Sequence, residues 1–332
     1  MTKKSFKNNF LTIPKLELHL HLEGATPISF IKNLSKRKKI NISDIIDENG
    51  NYKFNNFNEF LKTYDKVAEI LTKPEDFYEL TNEVILNLIK DNVIYSEIFL
   101  CPDFCGNSDL IAWKEYFDAI SIAIKQNEKK FGIITRIIPI CIRHLGSEQS
   151  KKVAKCATEV DSDLIVGFGM AGDETFGSLI NYKYSFDMAR EAGLKLTCHA
   201  GEFRSYESVL DAINILEVDR IGHGVSSSTD LKTVETLREK KITLEICPKS
   251  NLFLGLYDSL NNHPINYFYE EKLNFVISTD DPTFFDISLS DEYQNLFNAF
   301  GWDDKFFQNL NLKGIDSIFS NDIIKKKLRD KF

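Results

Sequence analysis

Residues 195–202 read Lys-Leu-Thr-Cys-His-Ala-Gly-Glu. A short run with apolar and β-branched residues ends on His199, two small residues follow, and a carboxylate, Glu202, closes the stretch. The run is too short for a helix. Buried strands of a parallel sheet read as near-continuous apolar runs, so 195–198 is read as a strand that delivers a histidine at its C-terminal end. The pattern recurs. Comparable runs lie at Leu16–Leu20, Val93–Leu100, Ile133–Cys141, Leu164–Phe168, Arg220–Gly222, Ile242–Ile246 and Phe275–Ser278, which with Lys195–Cys198 makes eight. Between them lie segments of helical periodicity, among them Glu75–Lys90, Asp109–Lys129, Tyr182–Ala192, Ser205–Leu216 and Asp230–Lys240. Strands alternating with helices predict βαβ units on a parallel sheet. Eight units predict an α/β fold of the (β/α)8 TIM barrel type. A doubly wound open sheet would need a phosphate-binding glycine loop between a strand and a helix, and none of the eight runs is followed by one.

The 332 residues contain 16 Gly and 8 Pro without clustering, no internal repeat and no linker, which predicts one barrel domain over residues 1–332. The stretch between the first two strands, Thr26–Asn92, exceeds a single crossover and should hold extra helices. Within it Phe57, Phe60, Leu61 and Tyr64 have the i, i+3, i+4, i+7 spacing of one apolar helical face. That face either packs on the barrel or forms an apolar lid over its mouth.

Composition narrows the function. Hydrophobic residues make up 43% and charged residues 27%, ordinary for a globular protein, and no apolar run reaches the ~18–20 residues of a membrane span. The net charge of −8 (41 − 49) argues against nucleic acid and anionic membranes as partners. The basic run Lys36–Lys39 is isolated and reads as the exposed end of a helix. The first residues, MTKKSFKNNFLTIPK, lack the apolar core of a signal peptide, and six cysteines are ordinary usage for this length. Both point to a cytoplasmic protein with reduced thiols. The expected partner is a small molecule; composition says nothing of oligomeric state.

Only six histidines occur, and four of them, His19, His21, His199 and His223, fall at or just after the end of a predicted strand, where barrel enzymes build their sites. His19 and His21 are two apart on a strand, so both imidazoles point to one side, as a divalent metal such as zinc requires. His199 would add a third imidazole, and Glu202 just beyond it is a candidate general acid or base. Taken alone, paired strand histidines often only hydrogen-bond, and His223, between Gly222 and Gly224, reads as a satisfied core histidine. Asp280 and Asp281 end the last strand; adjacent side chains alternate in direction, so one can face a metal and the other a ligand. Asp-Asp-Pro is also a common turn sequence. Cys101 and Cys105 lack the second pair of a thiolate site, and Cys247 reads as buried packing. His144 lies near the rim, within reach of a substrate, and His263 reads as a surface-loop residue.

Together these motifs resemble the adenosine deaminases of the metal-dependent barrel amidohydrolases. The matching stretches are PKLELHLHLEGA (14–25), VGFGMAGDE (166–174), TCHAGE (197–202), RIGHGV (220–225), LEICPKSN (244–251) and STDDP (278–282), in the family's order along most of the chain. The resemblance implies one zinc per chain held by His19, His21, His199 and Asp280. It implies Glu202 as proton donor to the purine N1, and His223 as the residue that orients or deprotonates the attacking water. It further implies Asp281 at N7, the Gly172 backbone at N3, Glu23 near the ribose, and Phe57, Phe60, Leu61 and Tyr64 on a lid helix. The implied reaction is deamination of adenosine and deoxyadenosine to inosine and ammonia. Glu23 keeps adenine open as a second substrate reading, because the acidic residue after H-x-H-L is usually Asp in animal-type adenosine deaminases and Glu in adenine deaminases; against it, Ala171-Gly172-Asp173-Glu174 is the adenosine-type sequence. A modified nucleoside, such as methylthioadenosine or an aminofutalosine, would be compatible with the same motifs. So, outside enzymes altogether, would a non-catalytic zinc- or purine-binding protein. The chemistry is consistent with the catalytic roles: protonating N1 breaks the aromaticity that resists attack at C6, and zinc lowers the pKa of bound water from 15.7 to about 7.

Overall fold

The computed structural model describes residues 10–332; the reading of the first nine residues as free of a signal sequence lies outside the described residues. Eight strands form one sheet in sequence order: β1 (Lys15–His21), β2 (Val93–Leu100), β3 (Ile134–Ile142), β4 (Gly167–Ala171), β5 (Lys195–Ala200), β6 (Arg220–His223), β7 (Thr243–Ile246) and β8 (Asn274–Ile277). Each pairs in parallel with the next. The circle is completed just beyond β8. Leu20 and Asp280 form a parallel bridge, in which the Asp280 amide donates to the His19 carbonyl at 2.9 Å and the His21 amide to the Asp280 carbonyl at 3.0 Å. The residues that close the barrel are thus those expected to form its site. Nearly every strand residue is buried, as expected for strands covered by helices outside and by side chains inside.

The insertion between β1 and β2 holds three helices: α1 (Ile28–Lys38), α2 (Phe57–Ile70) and α3 (Pro74–Lys90). The basic run is the last turn of α1, where cations complement the helix dipole; Lys38 pairs with Asp76 and Arg37 with Glu79 on α3. Helix α2 starts at Asn56, whose side chain accepts from the Glu59 amide at 3.0 Å.

Two local expectations are corrected. The apolar run Leu164–Phe168 predicts the fourth strand, which lies instead over Gly167–Ala171. Its glycines hide it: a Cβ on Gly167 would lie 2.8 Å from the Phe319 ring and one on Gly169 3.0 Å from Ile140. Gly167, Gly169 and Gly172 do spell a G-x-G-x-x-G, against the reading that no such loop is present, but Gly167 and Gly169 lie within β4, where they allow close packing in the barrel wall, and Gly172 lies at the pocket. The helix expected over Ser205–Leu216 is an α-helix only for Tyr206–Asp211 and widens into a π-turn over Ala212–Leu216. No helix among the described residues is long and apolar enough to cross a membrane.

Candidate active site

The mouth of the barrel gathers β1, β5, β6 and the chain after β8. His19 and His21 project from β1, His199 from β5 and Asp280 from the turn after β8, and their ligand atoms lie within 4.8 Å of one another. His21 Nε2 is 3.2 Å from His199 Nε2. Asp280 Oδ1 is 3.2 Å from His19 Nε2 and 3.3 Å from His21 Nε2. His223 and Asp280 both adopt left-handed backbone, with φ of 60° and 65°, a strain of the kind that clusters at functional sites. Gly222 leaves room for the cluster, since a Cβ there would lie 2.9 Å from His19 Cε1.

Buried partners decide which imidazole nitrogens face inward as lone pairs. His199 Nδ1 lies 2.9 Å from the Met170 carbonyl, which only accepts, so Nδ1 carries the hydrogen. His19 Nδ1 lies 2.7 Å from Glu245 Oε2. Burial pushes the Glu245 carboxyl up, but Arg220 and the hydrogen bonds from His19 and Thr197 prevail and hold it below the usual carboxylate range. Arg220 Nε is 2.6 Å from Glu245 and its Nη1 2.6 Å from Glu97. Ionised Glu245 therefore accepts the Nδ1 hydrogen, and His19 Nε2 faces the cluster beside Asp280. The lone pair so left on His199 Nε2 lies 3.2 Å from His21 Nε2, beside the Asp280 carboxylate, a grouping of donor atoms suited to a cation. Tetrahedral zinc with bonds of ~2.0–2.1 Å separates its ligands by about 3.3 Å, so the donor set fits such an ion.

A pocket of about 230 Å³ opens above this cluster. Its floor includes Gly172, Glu202, His223, Asp280 and Asp281, and α2 covers it with Phe57, Phe60, Leu61 and Tyr64. The expected helical face is thus brought over the mouth. Phe60 is only 5% exposed and belongs to an aromatic cluster with Phe54, Phe284 and Phe285, so it packs as core while touching the pocket. Burial, then the charges of Asp280 and Glu174, pushes the Glu202 carboxyl well above its ordinary value. Burial, then Asp280, does the same to Asp281, whose Oδ1 lacks a partner. Gly24 is required beside it, because a Cβ there would meet Asp281 Oδ1 at 1.7 Å.

Some expectations fall differently. Glu23 does not reach the pocket: it is fully buried, and the Tyr64 hydroxyl donates to its Oε2 at 3.2 Å, screening it. Burial pushes its carboxyl up to about 7. Besides Glu202, Asp280 and Asp281, the acids that line the pocket are Asp65 and Glu69, which follow Tyr64 on α2. Sequence reasoning missed them, although helical spacing places them beside the apolar face. His144 lines the pocket, its Nδ1 accepting from the Asp173 amide at 3.2 Å. His263 is no surface residue: at 3% exposure it is bonded to Asn251 and to its own loop. Glu245, Glu174 and Asn251 lie inside the quoted motifs, yet nothing local signals their partners. All six cysteines are buried and free.

Comparison with known proteins follows the same lines. The family model described as adenosine deaminase matches residues 14–332. An adenine deaminase from Agrobacterium fabrum is 35% identical over 314 residues, covering 95% of this chain and 96% of that one. The crystal structure of an adenine deaminase from Arthrobacter aurescens superposes with a TM-score of 0.89 at 26% identity, over 96% of this chain and 98% of that one. The fold also matches an amidohydrolase from Burkholderia ambifaria, crystallised with bound zinc, with a TM-score of 0.86 at 23% identity over 97% and 90% of the two chains. The names of the first two relatives match the adenine reading rather than the adenosine one.

Proposed function

The chain belongs to the adenosine deaminase family, and on that premise we propose that it deaminates free adenine to hypoxanthine and ammonia. The observation that carries the choice of base over nucleoside is the Tyr64–Glu23 hydrogen bond. It sets an aromatic ring and a long buried acid where the family resemblance puts a ribose contact, and it leaves a pocket of about 230 Å³. That is below the ~300–1,000 Å³ usual for ligand sites. The names of the similar proteins support the same choice. Asp65 and Glu69 on the wall disfavour a 5′-phosphate by like charge.

In this reading His19, His21, His199 and Asp280 hold one zinc ion, which when bound supplies a water acidic enough to attack at neutral pH. Glu202, kept protonated by its buried setting, gives its proton to the purine N1 and so makes C6 electrophilic. Asp281, protonated for the same reason, donates to N7, and the Gly172 amide meets N3. His223, whose Nε2 faces Glu202 and Asp280, orients the attacking water between them. Phe57, Phe60 and Leu61 cover the base and exclude bulk solvent, which strengthens each of these polar contacts. Water enters and ammonia leaves, so the reaction balances without a redox partner.

The test is ammonia release from adenine, adenosine, deoxyadenosine, methylthioadenosine and AMP by zinc-loaded protein. Adenine should give the highest kcat/KM, and AMP should be turned over worse than adenosine. A kcat/KM for adenosine equal to or above that for adenine would overturn the choice of base.

A further inference from the structure

A chain of hydrogen bonds runs from a main-chain amide to His223, and its direction is fixed at one end. The Ile265 amide donates to His263 Nδ1 at 3.1 Å. A backbone N–H cannot accept, so Nδ1 of His263 is the bare nitrogen and Nε2 carries the hydrogen. His263 Nε2 lies 3.1 Å from Asn251 Oδ1 and must be the donor there. The Asn251 amide is thereby oriented, with its Nδ2 turned to His223 Nδ1 at 3.2 Å. An amide nitrogen only donates, so His223 Nδ1 accepts, and the ring hydrogen of a neutral His223 sits on Nε2. All three side chains are buried, Asn251 completely.

We propose that His263 and Asn251 are positioning residues that fix His223 as its Nε2–H tautomer. The consequence lies at the reacting end. His223 Nε2 points toward Glu202 Oε2 at 3.7 Å and Asp280 Oδ2 at 3.9 Å, the space that an attacking water shares with both carboxylates. With a hydrogen on Nε2, His223 donates to the oxygen of that water and directs its lone pair toward the base. It does not remove the water's protons: Glu202, a carboxylate once its own proton is on N1, takes them in turn, passing the first to the departing ammonia and keeping the second. The two roles left open for His223 by the sequence are thus separated by a residue twelve positions beyond Asn251 that touches neither substrate nor metal ligand. The kinetic part of this inference rests on the proposed deaminase activity; the tautomer itself does not.

The experiment combines both. Protein labelled with ¹⁵N-histidine, metal-free and zinc-loaded, is measured by NMR, with signals assigned through His223→Gln and His263→Gln. In the wild type, His223 should show a bare Nδ1 and a protonated Nε2. Asn251→Asp is nearly isosteric but puts an acceptor against both rings, so the His223 hydrogen should move to Nδ1. Its kcat on adenine should then fall about 10–100-fold, the usual effect of removing such an outer partner, with KM little changed. His263→Leu should lower kcat in the same way, and His263→Gln, whose amide can still donate to Asn251, should restore most of it. A wild-type His223 protonated at Nδ1 would overturn the proposal, as would an Asn251→Asp variant with unchanged His223 signals and kcat. If Asn251→Asp does not fold, the wild-type spectrum and the two His263 variants decide. If the wild type does not turn over adenine at all, the proposed function fails, and the tautomer is still decided by the spectra.

Discussion

The main-chain amide of Glu202 donates to Glu174 Oε2 at 3.0 Å. It is one of four consecutive amides, Gly201 to Arg204, that converge on this single buried carboxylate, and Ser208 adds its hydroxyl at 2.6 Å. Glu174 follows β4 and Glu202 follows β5, so the carboxylate ties the turn that presents Glu202 to the neighbouring loop. Charge-assisted bonds of this kind are each worth ~1.5–3 kcal/mol. Glu174→Gln replaces one acceptor oxygen by a donor that faces amide hydrogens. We expect a lowered melting temperature and a kcat lowered by about 10²-fold, the scale associated with an ångström-sized misplacement, with metal content retained. Unchanged kinetics would show that Glu202 is held by other means.

Glu202→Gln keeps shape and a donor but has no proton to give up. It should bind metal and adenine normally, while kcat falls by ~10²–10⁴-fold, the range of lost general acid catalysis. Single-turnover kinetics with equilibrium binding of adenine separate the two quantities. A near-wild-type kcat would move the proton-donor role to another group.

Metal content should depend on the four converging donors and on what lies behind them. His19→Ala, His199→Ala and Asp280→Ala should each lose most bound zinc by elemental analysis. Glu245→Gln, which removes the anionic acceptor behind His19 Nδ1 without touching the cluster, should weaken zinc affinity about 10–100-fold. Competition with a chromogenic chelator measures this, and full retention in all four variants would refute the site.

Phe60 and Leu61 are neighbours on α2 with different surroundings. Phe60 is enclosed by aromatic rings, so Phe60→Ala should cost ~3–5 kcal/mol of stability in denaturant unfolding. Leu61 is only partly buried and faces the pocket, so Leu61→Ala should raise KM for adenine with a small change in stability. A stable Phe60→Ala variant with raised KM would instead identify α2 as a loosely packed lid.

Stability should fall with rising pH because of Glu292. Burial pushes its carboxyl up to about 8, against the hydrogen bond from the Lys249 amide, and its Oε2 has no partner. Between its ordinary value of 4.5 and about 8 the folded state holds a proton that the unfolded chain releases, so unfolding becomes easier as pH rises through that window. Glu292→Gln removes this contribution. Its melting temperature should match wild type near pH 5 and exceed it increasingly toward pH 8; a constant difference across the range would exclude the assignment.

Periodicity is enough to foresee the barrel and its insertion between β1 and β2, and strand-end position to place His19, His21, His199 and Asp280 at the ends of strands, because each of these depends on residues close together in the chain; the full set of site residues was implied by the family resemblance. The place of β4 escapes the sequence for a local reason as well: a strand chosen for close packing by glycine loses the apolar signature by which strands are recognised. What tertiary structure alone decided are the pairings across the barrel. His19 and Glu245 are separated by 226 residues, and the register of β1 with its neighbours must exist before their side chains meet. The same holds for Tyr64 and Glu23, 41 residues apart, whose hydrogen bond turns an expected substrate contact into a wall. It holds too for His263, which reads as exposed because a lone histidine in a polar loop carries no local signal of burial. Hydrogen-bond direction, tautomer and pocket size are properties of such pairs, and a linear sequence of side chains contains the partners without stating which of them will touch.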